Sequence, residues 1–278
     1  MGALLAIASA VSFGISDVAG AVATRRSAAS SVAIGIVVAG MIPLVPLLVL
    51  IPGTPSAAAF AYGSAAGLVG NLGLVLYLRC MALGPIGVIS PIAGLVGASL
   101  PVAWGAVVIG DDLGTPEIVG IALGLVAVVA VAYVPGTSVR SSGSRGPVTA
   151  LAAGASFGLF YLFLDATPAT SGLWPLVGSR LIGVLPVFVF AVATSRPLVV
   201  DRTALRLTVL AGVADVAANA LFLLATRIGL LSLVSLLASL YPVVALVIAR
   251  LVLTERLSRL QGAGVGLALV ATGLLAGG

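Results

Sequence analysis

A chain of 278 residues in which 61% are apolar and 8% charged cannot be a soluble globular protein, since soluble domains run at roughly 45–50% apolar and about 25% charged. So little charge cannot cover so large an apolar surface, and lipid must be the solvent for most side chains. The single cysteine, Cys80, excludes a disulfide framework within the chain, and the absence of His removes the commonest metal ligand and neutral-pH proton shuttle, so no metal or other cofactor is expected.

The opening residues, Met1-Gly2-Ala3-Leu4-Leu5, put no basic region before their apolar run, and the run is longer than a signal peptide needs; it reads as a first membrane span. In all, ten apolar runs follow one another, near 2–23, 31–51, 57–78, 83–109, 114–135, 147–165, 171–194, 203–225, 229–252 and 258–277. Each could cross about 30 Å of hydrocarbon as a helix. Between them lie helix breakers and charges, where backbone can meet water: Arg25-Arg26-Ser27, Pro52-Gly53-Thr54-Pro55, Arg79, Gly110-Asp111-Asp112, Thr167-Pro168, Ser195-Arg196-Pro197, Arg227 and Thr254-Glu255-Arg256. The stretch 136–146 is the only polar, linker-like one, and it separates a first repeat, 1–135, from a second, 147–278.

The repeat is written in the residues. Ser12-Phe13-Gly14 recurs as Ser156-Phe157-Gly158, 144 positions on, and Asp111, Leu113, Glu117 and Gly120 recur at the same offset as Glu255, Leu257, Gln261 and Gly264. Matched anchors about a hundred residues apart and in phase indicate duplication. Ten spans divided between two copies leave five each, an odd number, so the second copy must enter the membrane in the opposite sense: two inverted five-helix repeats.

All 13 basic residues are Arg, and they stand singly or in pairs at the ends of runs. They are therefore a topology signal, with no nucleic-acid partner expected. Eleven border the loops after the odd-numbered spans, namely Arg25, Arg26, Arg79, Arg140, Arg145, Arg196, Arg202, Arg206, Arg250, Arg256 and Arg259. The positive-inside rule then puts both termini outside and 136–146 in the cytoplasm, in a multi-pass protein of the cell membrane, the inner membrane of a bacterium.

Ionisable residues within spans are the places to seek chemistry, because a charge at mid-bilayer costs about 2.5–3.5 kcal/mol on insertion scales. Asp17 lies in the first span, and Asp215 lies near the middle of the eighth with Asn219 one turn later on the same face. Asn71, in the third span, is the counterpart of Asp215 at the repeat offset. Together they give a polar cluster from both halves near the midplane. The competing readings are structural: Asp215 and Asn219 bridging helices, and Asp17 hydrogen-bonding Ser12 or Ser16. With no His available, a carboxylate is the only relay for a coupling proton, with Asp215 first and Asp17 second. Span four, with Pro85, Pro91 and Pro101 among several glycines, either opens to present free carbonyls to a cavity or packs tightly through its glycines. Gly120-x-x-x-Gly124 and Gly262-x-Gly264-x-Gly266 offer small faces for close helix contact, within the fold or between protomers of a homo-oligomer.

The Ser-Phe-Gly pair, Asn219-Ala220-Leu221-Phe222 leading into Arg227-Ile228-Gly229, Leu240-Tyr241-Pro242, and Thr254-Glu255-Arg256-Leu257-Ser258 with Gln261 and Gly264 resemble the EamA-like branch of the drug/metabolite transporter superfamily. The resemblance covers essentially the whole chain and is weaker in the first half, where the family's Glu is Asp111 and its aromatic-Gly pair is Phe13-Gly14. It implies ten helices in two inverted halves, spans one to four and six to nine around a central cavity, and export or exchange of small metabolites such as amino acids. Arg180 stands where the family often has an Arg; it either forms a salt bridge with Asp165 or meets a substrate carboxylate.

No His, nucleophile elbow, P-loop or carboxylate pair at catalytic spacing supports an enzyme. A channel would need a continuous polar pore that so few polar residues do not supply. The expectation is a secondary carrier in the lipid bilayer for a small, zwitterionic or apolar solute, working by alternating access with a proton as the candidate coupling ion; a lipid-linked carrier flippase and a non-transporting membrane subunit are the alternatives.

Overall fold

In a computed structural model, which describes residues 1–83, 86–132, 145–252 and 258–277, the regular structure is helical throughout. The helices are α1 (Gly2–Thr24), α2 (Ala29–Leu50), α3 (Ala57–Leu83), α4 (Ile86–Trp104), α5 (Thr115–Ala132), α6 (Arg145–Asp165), α7 (Trp174–Gly183), α8 (Leu185–Ala193), α9 (Leu205–Thr226), α10 (Leu231–Ala238), α11 (Tyr241–Val252) and α12 (Arg259–Gly277). Seven stretches among the described residues are long and apolar enough to cross a membrane, and three shorter apolar helices, 93–109, 115–130 and 259–271, lie beside them. Gly84, Pro85, residues 136–144 and the Thr254–Leu257 motif lie outside the described residues, as do the side chains of Pro91 and Arg145.

Two stretches expected to be single spans are broken. Val184 separates α7 from α8, and Ser239 and Leu240 separate α10 from α11. Each break falls just before a proline, Pro186 or Pro242, whose missing N–H and ring deny the carbonyl four residues back its helical partner. Span four, richest in proline, is not the broken one. Its helix α4 runs through Pro91 and Pro101 and loosens only past Trp104, into a π turn over Gly105–Ile109. Gly110, at φ 78°, ends that turn in the left-handed conformation that favours glycine.

Helix α1 packs along α9 and against α10 and α11; α3 packs on α6 and α7; α2 lies on α9; α4 lies on α6; and α5 pairs with α12. Glycines set the closest approaches. A Cβ on Gly212 would lie 2.5 Å from the Ile36 carbonyl and 3.1 Å from the Gly40 nitrogen, and a Cβ on Gly183 would lie 2.5 Å from the backbone of Gly67. Gly124 packs its small face on Leu236 within the fold, whereas Gly262 and Gly266 face open space. Apolar side chains such as Ile42, Val49, Val107, Val189 and Leu269 are exposed on the outer surface, as lipid-facing positions are.

Contacts tie the two halves together at both ends. At one end the Asp111 carboxylate accepts hydrogen bonds from the Ser232 amide (3.0 Å) and hydroxyl, satisfying an orphan N–H of the first turn of α10. Nearby, Trp174 donates to the Gly53 carbonyl at 3.1 Å and the Thr54 amide to the Thr170 carbonyl at 2.9 Å. Within the second half, at the same end, Arg227, which follows α9, donates to the carbonyls of Thr167 (2.8 Å) and Asp165 (3.4 Å) and to the Thr167 hydroxyl. Burial pushes its guanidinium pKa down from the ordinary value, and the neighbouring Asp165 opposes that. At the other end Arg26 donates to the Thr203 carbonyl at 3.3 Å and the Asp201 amide to the Ser27 hydroxyl at 3.2 Å. Hydrogen bonds from the Thr203 hydroxyl and amide hold the exposed Asp201 carboxyl below its usual range.

Candidate functional site

Where α1, α3, α6, α7, α9 and α11 converge they enclose a cavity of about 670 Å³, counted to the atom surfaces and including its mouth. Five of the six residues singled out in the sequence line it: Asp17, Asn71, Arg180, Asp215 and Asn219. The sixth, Pro91, sits in α4, with a side chain outside the described residues.

Each lining side chain has a local reason for its place. Arg180 falls on the last turn of α7, buried to 5% exposure, and its Nη2 donates to Asp215 Oδ2 in a salt bridge across to α9. This corrects the expected Arg180–Asp165 pair. Helix α7 starts only at Trp174, after a 3₁₀ turn over Ala169–Ser171, so Arg180 lies beside α9, while Asp165 ends α6 beside Arg227. Asn219, one turn beyond Asp215, donates its Nδ2 to the Asp215 backbone carbonyl (2.7 Å) and carboxylate Oδ2 (3.2 Å). Arg180 and Asn219 thus fix the Asp215 carboxylate from two directions.

On the facing side, Asp17 of α1 accepts a hydrogen bond from the Tyr77 hydroxyl of α3. Ser16 directs its own hydroxyl to the Ala211 carbonyl at 3.0 Å, and Ser9 directs its hydroxyl to the Ala218 carbonyl at 2.8 Å. Those two bonds stitch α1 to α9, the helix that carries Asp215. The Asp17 contact expected from Ser12 or Ser16 is therefore supplied from another helix by Tyr77. Asn71 lies one face over on α3, where its Nδ2 marks the closest approach to Gly183.

Aromatic rings form the rest of the wall. Phe13 meets Tyr161 edge-on at 6.3 Å and Tyr241 at 6.0 Å, Tyr77 meets Phe157 at 5.6 Å, and Phe160 meets Tyr161 at 5.7 Å. Behind them Tyr161 stacks on Phe222 at 4.3 Å. Sequence reasoning reached Phe13, Phe157 and Tyr241 only as motif residues and missed Tyr77, Phe160 and Tyr161, although Tyr161 stands at the repeat offset of 144 from Asp17.

Chemically, the arrangement holds two carboxylates, one guanidinium and two amides in a small volume walled by rings and enclosed by apolar helices. Among the described residues no group of His, Cys, Asp and Glu could hold a metal ion. A site of this kind in an all-helical, multi-pass protein can bind and orient a small solute or a proton.

These features define a multi-pass membrane protein with a polar, aromatic-walled internal site. The model of the EamA-like transporter family matches residues 144–277, so the second half of the chain carries the signature of that family, whose members are membrane transporters. One solved structure, described only as "Crystal structure of protein", superposes with a TM-score of 0.73 over 97% of this chain and 98% of its own at 16% identity, a likeness of fold alone. No curated protein matches the sequence.

Proposed function

We propose that the protein is a secondary active carrier that moves a small metabolite, an amino acid or a similar zwitterionic or apolar solute, by alternating access, in export or exchange. The observation that carries this reading is a cavity lined by Asp17 and Asn71 from the first half and by Arg180, Asp215 and Asn219 from the second. A site made of both halves is one whose two sides separate when the halves rock, and its occupant is then released to the other face.

The same reading includes ten spans in two inverted five-helix repeats, with the α7–α8 and α10–α11 pairs each counted as one broken span. Support comes from the packing between the halves, whose main contacts correspond when the halves are exchanged. The contact of α1 with α9 corresponds to that of α6 with α3; α3 with α7 corresponds to α9 with α2; and α4 with α6 corresponds to α10 and α11 with α1. The close glycine contacts obey the same exchange, Gly67 with Gly183 matching Gly212 with Gly40. Broken spans beside a midplane site are a recurring feature of transporters.

Coupling to a proton is assigned to Asp215, with Asp17 as the second candidate. A proton on Asp215 ends its ion pair with Arg180 and so alters the charge and hydrogen bonding of the volume in which the solute sits. That shared volume gives proton and solute a direct route to linkage. Counterflow in proteoliposomes tests the reading. A carrier exchanges labelled solute across the membrane with saturation, a channel shows no such saturation, and a structural subunit shows no exchange.

A further inference from the structure

We propose that the solute is an organic amine: an apolar body bearing an N–H ammonium and no carboxylate. This rests on the carrier reading above and replaces its zwitterionic or apolar solute with a cationic one. The first observation is an unanswered acceptor. Asn219 is 5% exposed and lines the cavity, and its Oδ1 is buried with no donor. Its orientation is fixed, because Nδ2 already donates to two oxygens of Asp215; turning the amide over would set oxygen against both. A buried acceptor without a donor is costly, about 1–3 kcal/mol, and a ligand N–H would relieve that cost.

The second observation is charge. The lining contains the carboxylates of Asp17 and Asp215 and the one guanidinium of Arg180, already engaged with Asp215. An added cation restores neutrality, and an added carboxylate would enter beside two others in a site of low dielectric. An ammonium brings three donors and no acceptor, and the two carboxylates and the Asn219 oxygen are there to accept them. The third observation is the ring wall of Phe13, Phe157, Phe160 and Tyr161, whose faces attract a cation and whose area covers an apolar body.

The test uses the purified full-length protein and four compounds with one phenyl body at neutral pH: phenethylamine, its trimethylammonium analogue, phenylalanine and 3-phenylpropionate. Binding is read by calorimetry and by the shift in unfolding temperature. Phenethylamine should bind saturably and at least tenfold more tightly than the other three, and Asn219→Ala should weaken it at least tenfold. Should Asn219→Ala fail to fold, the ligand series on the unaltered protein decides alone. Equal or tighter binding of any of the other three, or no binding of phenethylamine, overturns the amine. Saturable counterflow of phenylalanine without amine binding would overturn the amine and leave the carrier standing, whereas absence of saturable counterflow for all four overturns the carrier reading as well.

Discussion

Arg180 of α7 and Asp215 of α9 form an ion pair in the cavity wall, with side chains 5% and 17% exposed. Removing one partner of so enclosed a pair leaves the other uncompensated, at a cost of about 3–5 kcal/mol, whereas replacing both with apolar residues of similar size is often neutral. Arg180→Ala should therefore lower the unfolding temperature and abolish transport. Arg180→Met combined with Asp215→Leu should recover the unfolding temperature and remain inactive in counterflow. A double variant that transports normally would show that the pair only holds helices together.

Asp215→Asn removes titration at nearly constant shape; it also leaves Arg180 without its counter-charge, so its unfolding temperature should fall as well. The variant should retain solute exchange and lose accumulation against a gradient. If it still drives uphill transport with unaltered pH dependence, Asp215 is not the coupling carboxylate, and the same experiment passes to Asp17.

Much of the site was legible because an ionisable or amide side chain inside an apolar run needs a reason to be there. Asp17, Asn71, Asp215 and Asn219 were found that way. The partner of Arg180 was not legible: Asp165 and Asp215 both lie on spans that neighbour its own, and only the late start of α7 decides between them. Tyr77, Phe160 and Tyr161 were missed because Phe and Tyr in an apolar run look like lipid-facing or core residues until the helix face is known. Gly70, Leu74 and Tyr77 do fall at helical spacing on one face of α3. Pro186 and Pro242 were visible in the sequence, yet Pro91 and Pro101 are equally visible and leave α4 continuous. A proline removes one hydrogen bond; whether the helix breaks depends on the neighbours that re-satisfy the freed carbonyl.

The glycine contacts between spans predict a graded series. Gly183→Ala and Gly212→Ala place a methyl against backbone and should destabilise by about 1–3 kcal/mol, with loss of transport to match. Gly124→Ala meets the side chain of Leu236 at 3.1 Å, which can give way, and should cost less while affecting folding and transport together. Gly262→Ala meets nothing within 4 Å and should be neutral or slightly stabilising. Thermal unfolding of the four variants checks the order; destabilisation at Gly262 equal to that at Gly212 would contradict it.

The Arg distribution predicts the orientation in the membrane. A carboxy-terminal reporter active only in the cytoplasm should stay silent, with residues 140 and 145 accessible from the cytoplasmic face. A bright reporter would reverse the assignment.

The claim that two halves open one site to each face in turn is tested most directly by locking one end. In a Cys80→Ser background, Asp111→Cys and Ser232→Cys place a disulfide where the halves already meet, and Ser179→Cys supplies a thiol on the cavity wall. Before oxidation, a membrane-impermeant maleimide should reach Ser179→Cys from either face of sealed vesicles. After oxidation it should reach that position only from the face opposite the Asp111–Ser232 contact, and transport should stop. Labelling from both faces regardless of the lock, or from neither face at any time, would contradict alternating access.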